Sequence, residues 1–484
     1  MKLHILTTGI VIACSALGMQ AEASAQPAEK KSTPISSTPE KHPAAYKRFK
    51  AILEEQSRNN IYDPCPAMHV VLQTTDDEFA ADSWMQKAAN EGCAAALYFV
   101  AVKELNVVPA NVKQHPKIRS AVINLKKASD KKYAPAMVDF SACLRCGVGT
   151  IKNETQADKL LAEACRSNLI EPRYSWLLQT DRLSTYEDIQ REEVKSEIER
   201  GNHVVLYHLS GKAPDIFKKL TILTEAARMG SGKAMYDLSA LISHVNVHAS
   251  YHYLKMAAAH HEGRALQKMG EYLISARKEI AEQLGIQKDE KAGVYLLKLA
   301  TMIGNNNARL YMAKLYSEGL CGMPQDPELA YSHLYHGTMA FPSADLLAAQ
   351  GYMLLTGSGV EKNEAEGLAL LDSAVKAGTK ARNPHPLILR AYVYHKGYGG
   401  VDESMGREAI YILKDMAVRG MKECFIYLAL IYKTGGNGVA QNEKEALYYL
   451  DHAKREMGEQ AEQLYNEHLE KHGGWYLMPI NIVL

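Results

Sequence analysis

The chain has 484 residues, of which 56 are Lys or Arg and 55 are Asp or Glu, so its formal charge at pH 7 is only +1. This balance excludes a strongly basic protein that binds nucleic acid through its net charge. With 47% hydrophobic residues the chain can bury a core. It is several times longer than the ~100–200 residues of one globular domain, so we expect several domains or one repeat array.

The first 25 residues have the three parts of a secretory signal peptide. Lys2 is followed by a mostly apolar run over residues 3–19 and then by the small-residue site Ala23-Ser24-Ala25. We expect cleavage after Ala25 and a periplasmic or secreted mature protein. The alternative is a lipoprotein signal, because residues 11–14 fit a lipobox that would leave a lipid anchor on Cys14 and place the protein at the outer membrane. No other stretch reaches the ~18 consecutive apolar residues of a membrane span.

Residues 26–45 follow the predicted signal peptide and are rich in Pro, Ser and Lys. A segment of this composition buries too little apolar surface to order itself. We therefore expect a disordered linker here, with the folded part beginning at residue 46.

Helix start signals recur along the chain at intervals of 29 to 40 residues. Most are residues whose side chain accepts a hydrogen bond from the free N–H groups of a first helical turn, and three stand directly before a Pro. The eleven predicted start positions are Asp77, His115, Asn153, Ser184, Ala213, Ser250, Asp289, Asp326, Asn363, Asp402 and Asn442.

A second helical pattern precedes each start and ends in glycine, as at Gly319 and at Gly359-Val360. Glycine takes the left-handed conformation that ends a helix and turns the chain toward the next start. Four residues after the start, six units carry Ala or Gly, among them Gly293 and Gly367, where we expect a neighbouring helix to approach closely. A period of this length, built of helix pairs, predicts an all-α solenoid.

The predicted array spans residues 46–457. Within it, residues 166–232 are degenerate, because the intervals of 31 and 29 residues leave little room for the glycine turn. Residues 458–484 are predicted to form a C-terminal capping helix and an apolar tail. The tail 475–484 either caps the last helix pair or binds a partner.

Three stretches of the array share a pattern with a known repeat family: small residues on the first helix, a glycine turn, a capping residue and Ala on the second helix. They are Ala136 with Gly147-Val148-Gly149, Asn153, Ala157 and Ala164; Ala308 with Tyr316, Gly319, Asp326 and Ala330; and Gly351 with Gly357-Ser358-Gly359-Val360, Asn363 and Ala374. The pattern resembles the Sel-one-like repeat family, relatives of the tetratricopeptide repeats. The resemblance covers about residues 75–457.

The resemblance implies a right-handed superhelical solenoid of about eleven helix-turn-helix repeats. It implies a scaffold or adaptor that binds a protein or peptide, and neither an enzyme nor a carrier of a cofactor or metal. Two other functions stay open: a cell-wall-active or β-lactam-type hydrolase with its site in the superhelical groove, and a structural envelope component that binds glycan.

The chain has 27 Tyr against only 7 Phe. Tyr is favoured at interfaces because it gives contact area with little loss of entropy, although such rings also pack between helices. We predict partner contacts by tyrosines of the first helices, namely Tyr311, Tyr316, Tyr352, Tyr392, Tyr394, Tyr427 and Tyr432.

Without Cys14 the cysteine count is seven, which excludes a complete disulfide framework within one chain. The Cys143-x-x-Cys146 motif precedes Gly147 at a predicted helix C-terminus, where the helix dipole opposes the thiolate that redox catalysis needs. The open alternatives are a structural disulfide, Cys143 to Cys165 or Cys143 to Cys146, and buried thiols.

His244, His248 and His252 are spaced four residues apart. They could share a metal only on one uninterrupted helix, and the predicted start at Ser250 breaks that helix. We therefore expect surface histidines there and no metal site.

Overall fold

A computed structural model describes residues 6–7, 10–11, 37–106, 115–167, 169–275, 283–340, 342–381, 383 and 385–470. These residues form twenty-four α-helices, with short 3-10 helices at Pro39–Lys41, Tyr186–Gln190 and Tyr398–Gly400. The two-residue strands Leu6–Thr7 (β1) and Ile10–Val11 (β2) pair antiparallel. The predicted all-α repeat solenoid is confirmed. Cys14, the cleavage site after Ala25 and the tail 475–484 lie outside the described residues.

The chain divides into two compact units, Met1–Asn305 and Asn306–Leu484. The α-helices of the first unit are α1 Pro43–Asn59, α2 Cys65–Thr75, α3 Ala80–Asn90, α4 Ala94–Asn106, α5 Pro116–Asp130, α6 Ala134–Cys146, α7 Glu154–Cys165, α8 Ile170–Gln179, α9 Glu192–Glu199, α10 His203–Ser210, α11 Ile216–Arg228, α12 Gly232–Ile242, α13 Val247–Ala259, α14 Gly263–Ser275 and α15 Glu290–Met302. Those of the second unit are α16 Asn306–Glu318, α17 Pro327–Ala340, α18 Ala344–Thr356, α19 Glu364–Ala381, α20 His385–Lys396, α21 Glu403–Val418, α22 Cys424–Thr434, α23 Glu443–Met457 and α24 Glu459–Glu470.

Within each unit the core lies between consecutive helices. Most helices pack against the helix before and the helix after them in the chain. In the first unit, for example, Leu223, Leu238 and Leu254 from three consecutive helices share one buried cluster. This is the packing expected of a solenoid, where a helix buries its apolar face only against its neighbours.

Seven of the eleven predicted start positions are confirmed. At Asn153, the side-chain Oδ1 accepts from the backbone N–H of Gln156 at 2.9 Å, as the capping pattern predicts. The confirmed positions are His115, Asn153, Asp289, Asp326, Asn363, Asp402 and Asn442.

Two predicted starts are wrong because a better hydrogen-bond acceptor lies close by. Helix α13 begins after Asn246, whose Oδ1 accepts from Ala249 N–H at 2.9 Å. Ser250 therefore lies inside the helix, buried, with its hydroxyl bonded to the carbonyl oxygen of Ser239 at 2.8 Å. Helix α11 begins after Asp215 instead of Ala213, because the Asp215 carboxylate accepts from Lys218 N–H at 2.8 Å.

Two other starts shift by one or a few residues. After Ser184 the chain forms a 3-10 helix from Tyr186, since the Asp188 carboxylate accepts from the backbone N–H groups of Ser184 and Thr185. Asp77 accepts from Phe79 N–H at 2.9 Å in a turn, and helix α3 begins only at Ala80.

Residues 37–45, predicted as part of the linker, are ordered. Helix α1 begins at Pro43, before the predicted boundary at residue 46. The indole N–H of Trp84 donates to the carbonyl oxygen of Ser37 at 2.8 Å, and Lys87 pairs with Glu40 at 2.9 Å. The folded part therefore begins earlier than composition predicts, because helix α3 supplies a binding surface for this segment.

The degenerate stretch 166–232 is helical where the structure describes it. Helices α9 and α10 are only eight residues each, which accounts for the short intervals between start signals.

The first unit turns back on itself, so that helix α15 packs against helix α2. The ammonium group of Lys298 donates to the carbonyl oxygen of Asp76 at 2.8 Å and to its carboxylate at 2.9 Å. Lys298 also lies 3.7 Å from the Glu78 carboxylate, and both side chains are buried. This cation sits at the C-terminal end of α2, where the helix dipole favours it.

Candidate functional site

Beside this return contact, five side chains from distant parts of the first unit meet in what we call the closure cluster: Asp63, Cys65, His69, His261 and Tyr295. One ligand atom each from Cys65, His69 and His261 lie within 4.8 Å of one another. The cluster thus places a thiol and two imidazoles around one point.

The first part of the cluster comes from the start of helix α2. Cys65 is the first residue of the helix, and its backbone N–H donates to Asp63 Oδ1 at 3.1 Å. His69 follows four residues later, one helical turn along the same face. Local sequence therefore fixes Asp63, Cys65 and His69 relative to one another.

His261 lies in the turn between helices α13 and α14, with φ of 56° in the left-handed region. Its Nδ1 lies 2.7 Å from Asp63 Oδ2. At the same place in corresponding turns, between the C-cap of one helix and the residue before the next, the left-handed residue is Gly or, once more, Lys132. The glycines are Gly92, Gly201, Gly230, Gly304 and Gly420.

Tyr295 of helix α15 completes the cluster. Its hydroxyl lies 2.6 Å from His69 Nδ1, and its ring stacks on the imidazole with 5.6 Å between centroids. Both histidines therefore have Nδ1 engaged by an oxygen, which leaves the Nε2 atoms as ligand atoms.

The electrostatics of the cluster follow from burial and from Asp63. Burial, and to a lesser degree the Asp63 charge, raises the pKa of the fully buried Cys65 thiol to about 12. Burial lowers the pKa of His69, as does the charge of His261. The hydrogen bond from Asp63 raises the pKa of His261. At neutral pH the thiol is thus protonated, and deprotonating it requires a nearby cation.

The predicted partner-binding tyrosines are mostly core residues. Tyr432 is half-buried, and its ring stacks on Tyr449 with 5.7 Å between centroids. The other six are buried between helices: Tyr311, Tyr316, Tyr352, Tyr392, Tyr394 and Tyr427. Their role in partner binding stays a prediction.

No disulfide joins Cys143 and Cys165, both of which lie in the described part of the chain. Cys143 is buried within helix α6, and this burial raises the pKa of its thiol. Cys165 ends helix α7, and its Sγ bonds instead to the carbonyl oxygen of Pro172 at 3.4 Å. The Cys143-x-x-Cys146 motif does end a helix before Gly147, as predicted.

The helix break predicted at Ser250 is absent, so His248 and His252 share helix α13, while His244 precedes it. All three are exposed. Sequence reasoning missed the closure cluster, because His261 lies 192 residues after His69 and only the return of the unit brings them together. The Cys65 to His69 spacing of four residues was the local signal.

The Sel1 repeat family model matches residues 81–93, 276–305, 307–335, 343–379 and 426–453. The chain is a Sel1-repeat protein. Its matched repeats lie in both compact units. Sel1 repeats are of the protein-interaction scaffold type. Among the helices that the structure describes, none combines the length and the apolar character needed to cross a bilayer.

No curated protein matches this Sel1-repeat chain. Three solved structures are similar to it. A protective antigen of uropathogenic Escherichia coli strains that displays an SLR fold is 18% identical, with 89% of this chain and 92% of that chain covered and a TM-score of 0.43. A Sel1 repeat protein from Oxalobacter formigenes is 19% identical, with coverage of 62% and 88% and a TM-score of 0.35. An immunity protein from Pseudomonas aeruginosa is 17% identical, with coverage of 43% and 81% and a TM-score of 0.31.

Proposed function

We propose that this protein is a secreted or periplasmic scaffold that binds a protein or peptide partner and catalyses no reaction. The observation that carries the proposal is the array of Sel1 repeats in both units. Repeats of this kind offer extended helix faces to a partner, with their stability supplied by neighbouring repeats.

The second unit offers a surface suited to such a partner. Tyr411 and Val418 lie two turns apart on helix α21, 73% and 88% exposed, and Leu447 and Tyr448 on helix α23 are 57% and 55% exposed. We call these four residues the C-terminal apolar surface.

The helices that carry this surface are linked. Lys414 of α21 lies over the ring of Tyr449 of α23, with its Nζ 5.7 Å from the centroid. Tyr432 stacks on the same ring, so one of the predicted tyrosines supports this surface from below. Exposed apolar groups on adjacent helices favour a protein partner, since isolated domains rarely leave them uncovered.

The test is capture of a partner by crosslinking in the cell envelope, followed by mass spectrometry. The triple variant Tyr411→Ser, Val418→Ser, Tyr448→Ser is expected to lose the partner that the wild-type chain recovers. The matched control is Phe217→Ser with Val245→Ser, which removes exposed apolar side chains from the first unit. Equal recovery by the triple variant would refute the C-terminal apolar surface, and recovery of no partner by the wild type would refute the scaffold.

Location and chemistry are tested on the same preparations. An intact mass that begins at Gln26 supports a secreted or periplasmic chain, whereas a lipid-modified Cys14 supports the outer-membrane lipoprotein. Hydrolysis of a β-lactam reporter that persists after repurification would replace the scaffold with the hydrolase alternative.

A further inference from the structure

We propose that Cys65, His69 and His261 bind one Zn²⁺ ion, which joins the start of helix α2 to the turn between helices α13 and α14. The site goes beyond the proposed scaffold function and does not depend on it. It rests on the donor set, on the groups that orient the donors and on the backbone at His261.

The donor set is the first argument. A thiolate and two imidazoles are ligands that Zn²⁺ prefers, and three protein ligands with one open position is a recurrent zinc arrangement. Around a tetrahedral zinc ion the ligand atoms are about 3.3–3.6 Å apart, given Zn–N of about 2.0 Å and Zn–S of about 2.3 Å. The three ligand atoms here lie within 4.8 Å of one another. A contraction of about 1 Å, which side-chain rotation supplies, would complete the coordination.

The orienting groups are the second argument. Metal-binding histidines usually donate their other ring nitrogen to a carboxylate or another oxygen, which fixes the tautomer and the ring direction. His261 has this partner in Asp63, at 2.7 Å, and His69 has it in Tyr295, at 2.6 Å. Asp63 also accepts from Cys65 N–H, so one carboxylate orients two of the three ligands.

The backbone at His261 is the third and independent argument. A non-glycine residue in the left-handed region costs roughly 1–2 kcal/mol, and such strain is found where it serves a function. Five corresponding turns use Gly at this position. Lys132, the other exception, extends its ammonium group to Glu163 at 2.6 Å on the surface. His261 instead directs its imidazole to a buried thiol and a second imidazole.

The expected effect of the ion follows from the distance between its ligands in sequence. Since residues 65–69 and 261 come together only when the first unit is folded, zinc would bind the folded unit and stabilise its return contact. Binding would displace the Cys65 proton, because the thiolate is the ligand form.

The test measures zinc content and cobalt spectra of the whole protein with its purification tag removed. After equilibration with Zn²⁺ and dialysis, the wild type is expected to retain one zinc per chain by elemental analysis and to melt at a higher temperature than after chelation. With Co²⁺ it is expected to show thiolate-to-cobalt charge-transfer absorption, which reports directly on Cys65.

Two variants remove ligands. His261→Gly installs the residue that other turns use, so it is expected to fold at least as well as the wild type and to lose zinc retention by tenfold or more. Cys65→Ser is expected to lose the cobalt–thiolate absorption. The matched controls are Lys132→Gly, in a corresponding turn, and Cys424→Ser, a buried cysteine at the first residue of a helix in the second unit.

Zinc retained equally by His261→Gly and the wild type would overturn the proposal and assign binding to surface histidines such as His248 and His252. Zinc absent from the wild type, or a cobalt spectrum without thiolate absorption, would also overturn it. Circular dichroism of each variant shows that a loss of zinc is not a loss of fold.

Discussion

At the scale of single residues, His395 shows how burial sets a charge state. It lies in helix α20, 2% exposed, with Nε2 3.5 Å from the hydroxyl oxygen of Thr434. Burial, and then the charge of Lys396, lowers the pKa of His395 to about 4. Its imidazole is therefore neutral in the folded chain throughout the physiological range.

This shift predicts acid sensitivity of the second unit. In the unfolded chain His395 has a pKa near ~6.5, so as the pH falls from 6.5 toward 4 the unfolded state binds a proton that the folded state refuses. Between pH 7 and pH 5 the free energy of unfolding should fall by about 2 kcal/mol from this group.

Urea denaturation at the two pH values checks this prediction. The variant His395→Gln should lose most of that pH dependence, whereas His385→Gln in the first turn of the same helix should keep it. An equal pH dependence in His395→Gln and the wild type would show that another group is responsible.

The sequence predicted individual residues well where one group has a single available partner. Asn153 and Asn363 cap helices as expected, because each is the nearest acceptor to an open first turn. The state of the tyrosines was not predictable, since Tyr suits both an interface and a helix–helix contact and only packing decides between them.

At the scale of helices, pairs of glycines set two of the closest contacts. Gly270 of α14 faces Gly293 of α15, and Gly351 of α18 faces Gly367 of α19. A Cβ atom added to any of the four would lie 2.7–2.9 Å from the backbone carbonyl oxygen of its partner. Backbone cannot give way as a flexible side chain does, so these positions require glycine.

The expected result of Gly293→Ala or Gly351→Ala is therefore a loss of about 1–3 kcal/mol in the free energy of unfolding. Gly263→Ala is the control, because its nearest contact would be an acceptable 3.4 Å from the Ile303 side chain. That variant should be neutral or slightly stabilising, as alanine favours a helix. Chemical denaturation of the three proteins distinguishes the cases, and equal stability of all three would contradict close helix contact.

The spacing of small residues predicted Gly293 and Gly367 as contact positions, and the structure confirms both. Their partners required coordinates, because the facing helix can be matched in several registers. Helix starts were misplaced where two cap-forming residues stand within a few positions of each other, as with Asn246 and Ser250.

At the scale of the whole molecule, the repeat period predicted the solenoid but not the return of the first unit. The rotation from one repeat to the next is small and accumulates over many helices, so sequence spacing alone does not place helix α15 against helix α2. The closure cluster depends on this return and was invisible for the same reason.

Lys298 tests the return contact. In Lys298→Met the buried carboxylate of Glu78 loses a cation 3.7 Å away, and the C-terminal end of α2 loses its ammonium donor. Breaking a buried charge pair in this way costs about 3 kcal/mol. Hydrogen exchange should show faster opening of α2, and denaturation a lower midpoint.

The control is Lys288→Met, whose ammonium group pairs with Glu290 at 2.9 Å on the surface. An exposed pair of this kind contributes less than about 1 kcal/mol. If both variants protected α2 equally well, the contact between α15 and α2 would not stabilise the unit.

The return of the first unit also matters during synthesis. Asp76 and Lys298 are 222 residues apart, a separation far greater than that of neighbouring repeats. At ~5–20 residues per second, a ribosome takes on the order of 10–40 s to make that stretch. Helix α2 therefore waits through most of translation for the helix that completes its packing, and a nascent chain halted before residue 290 leaves it uncovered.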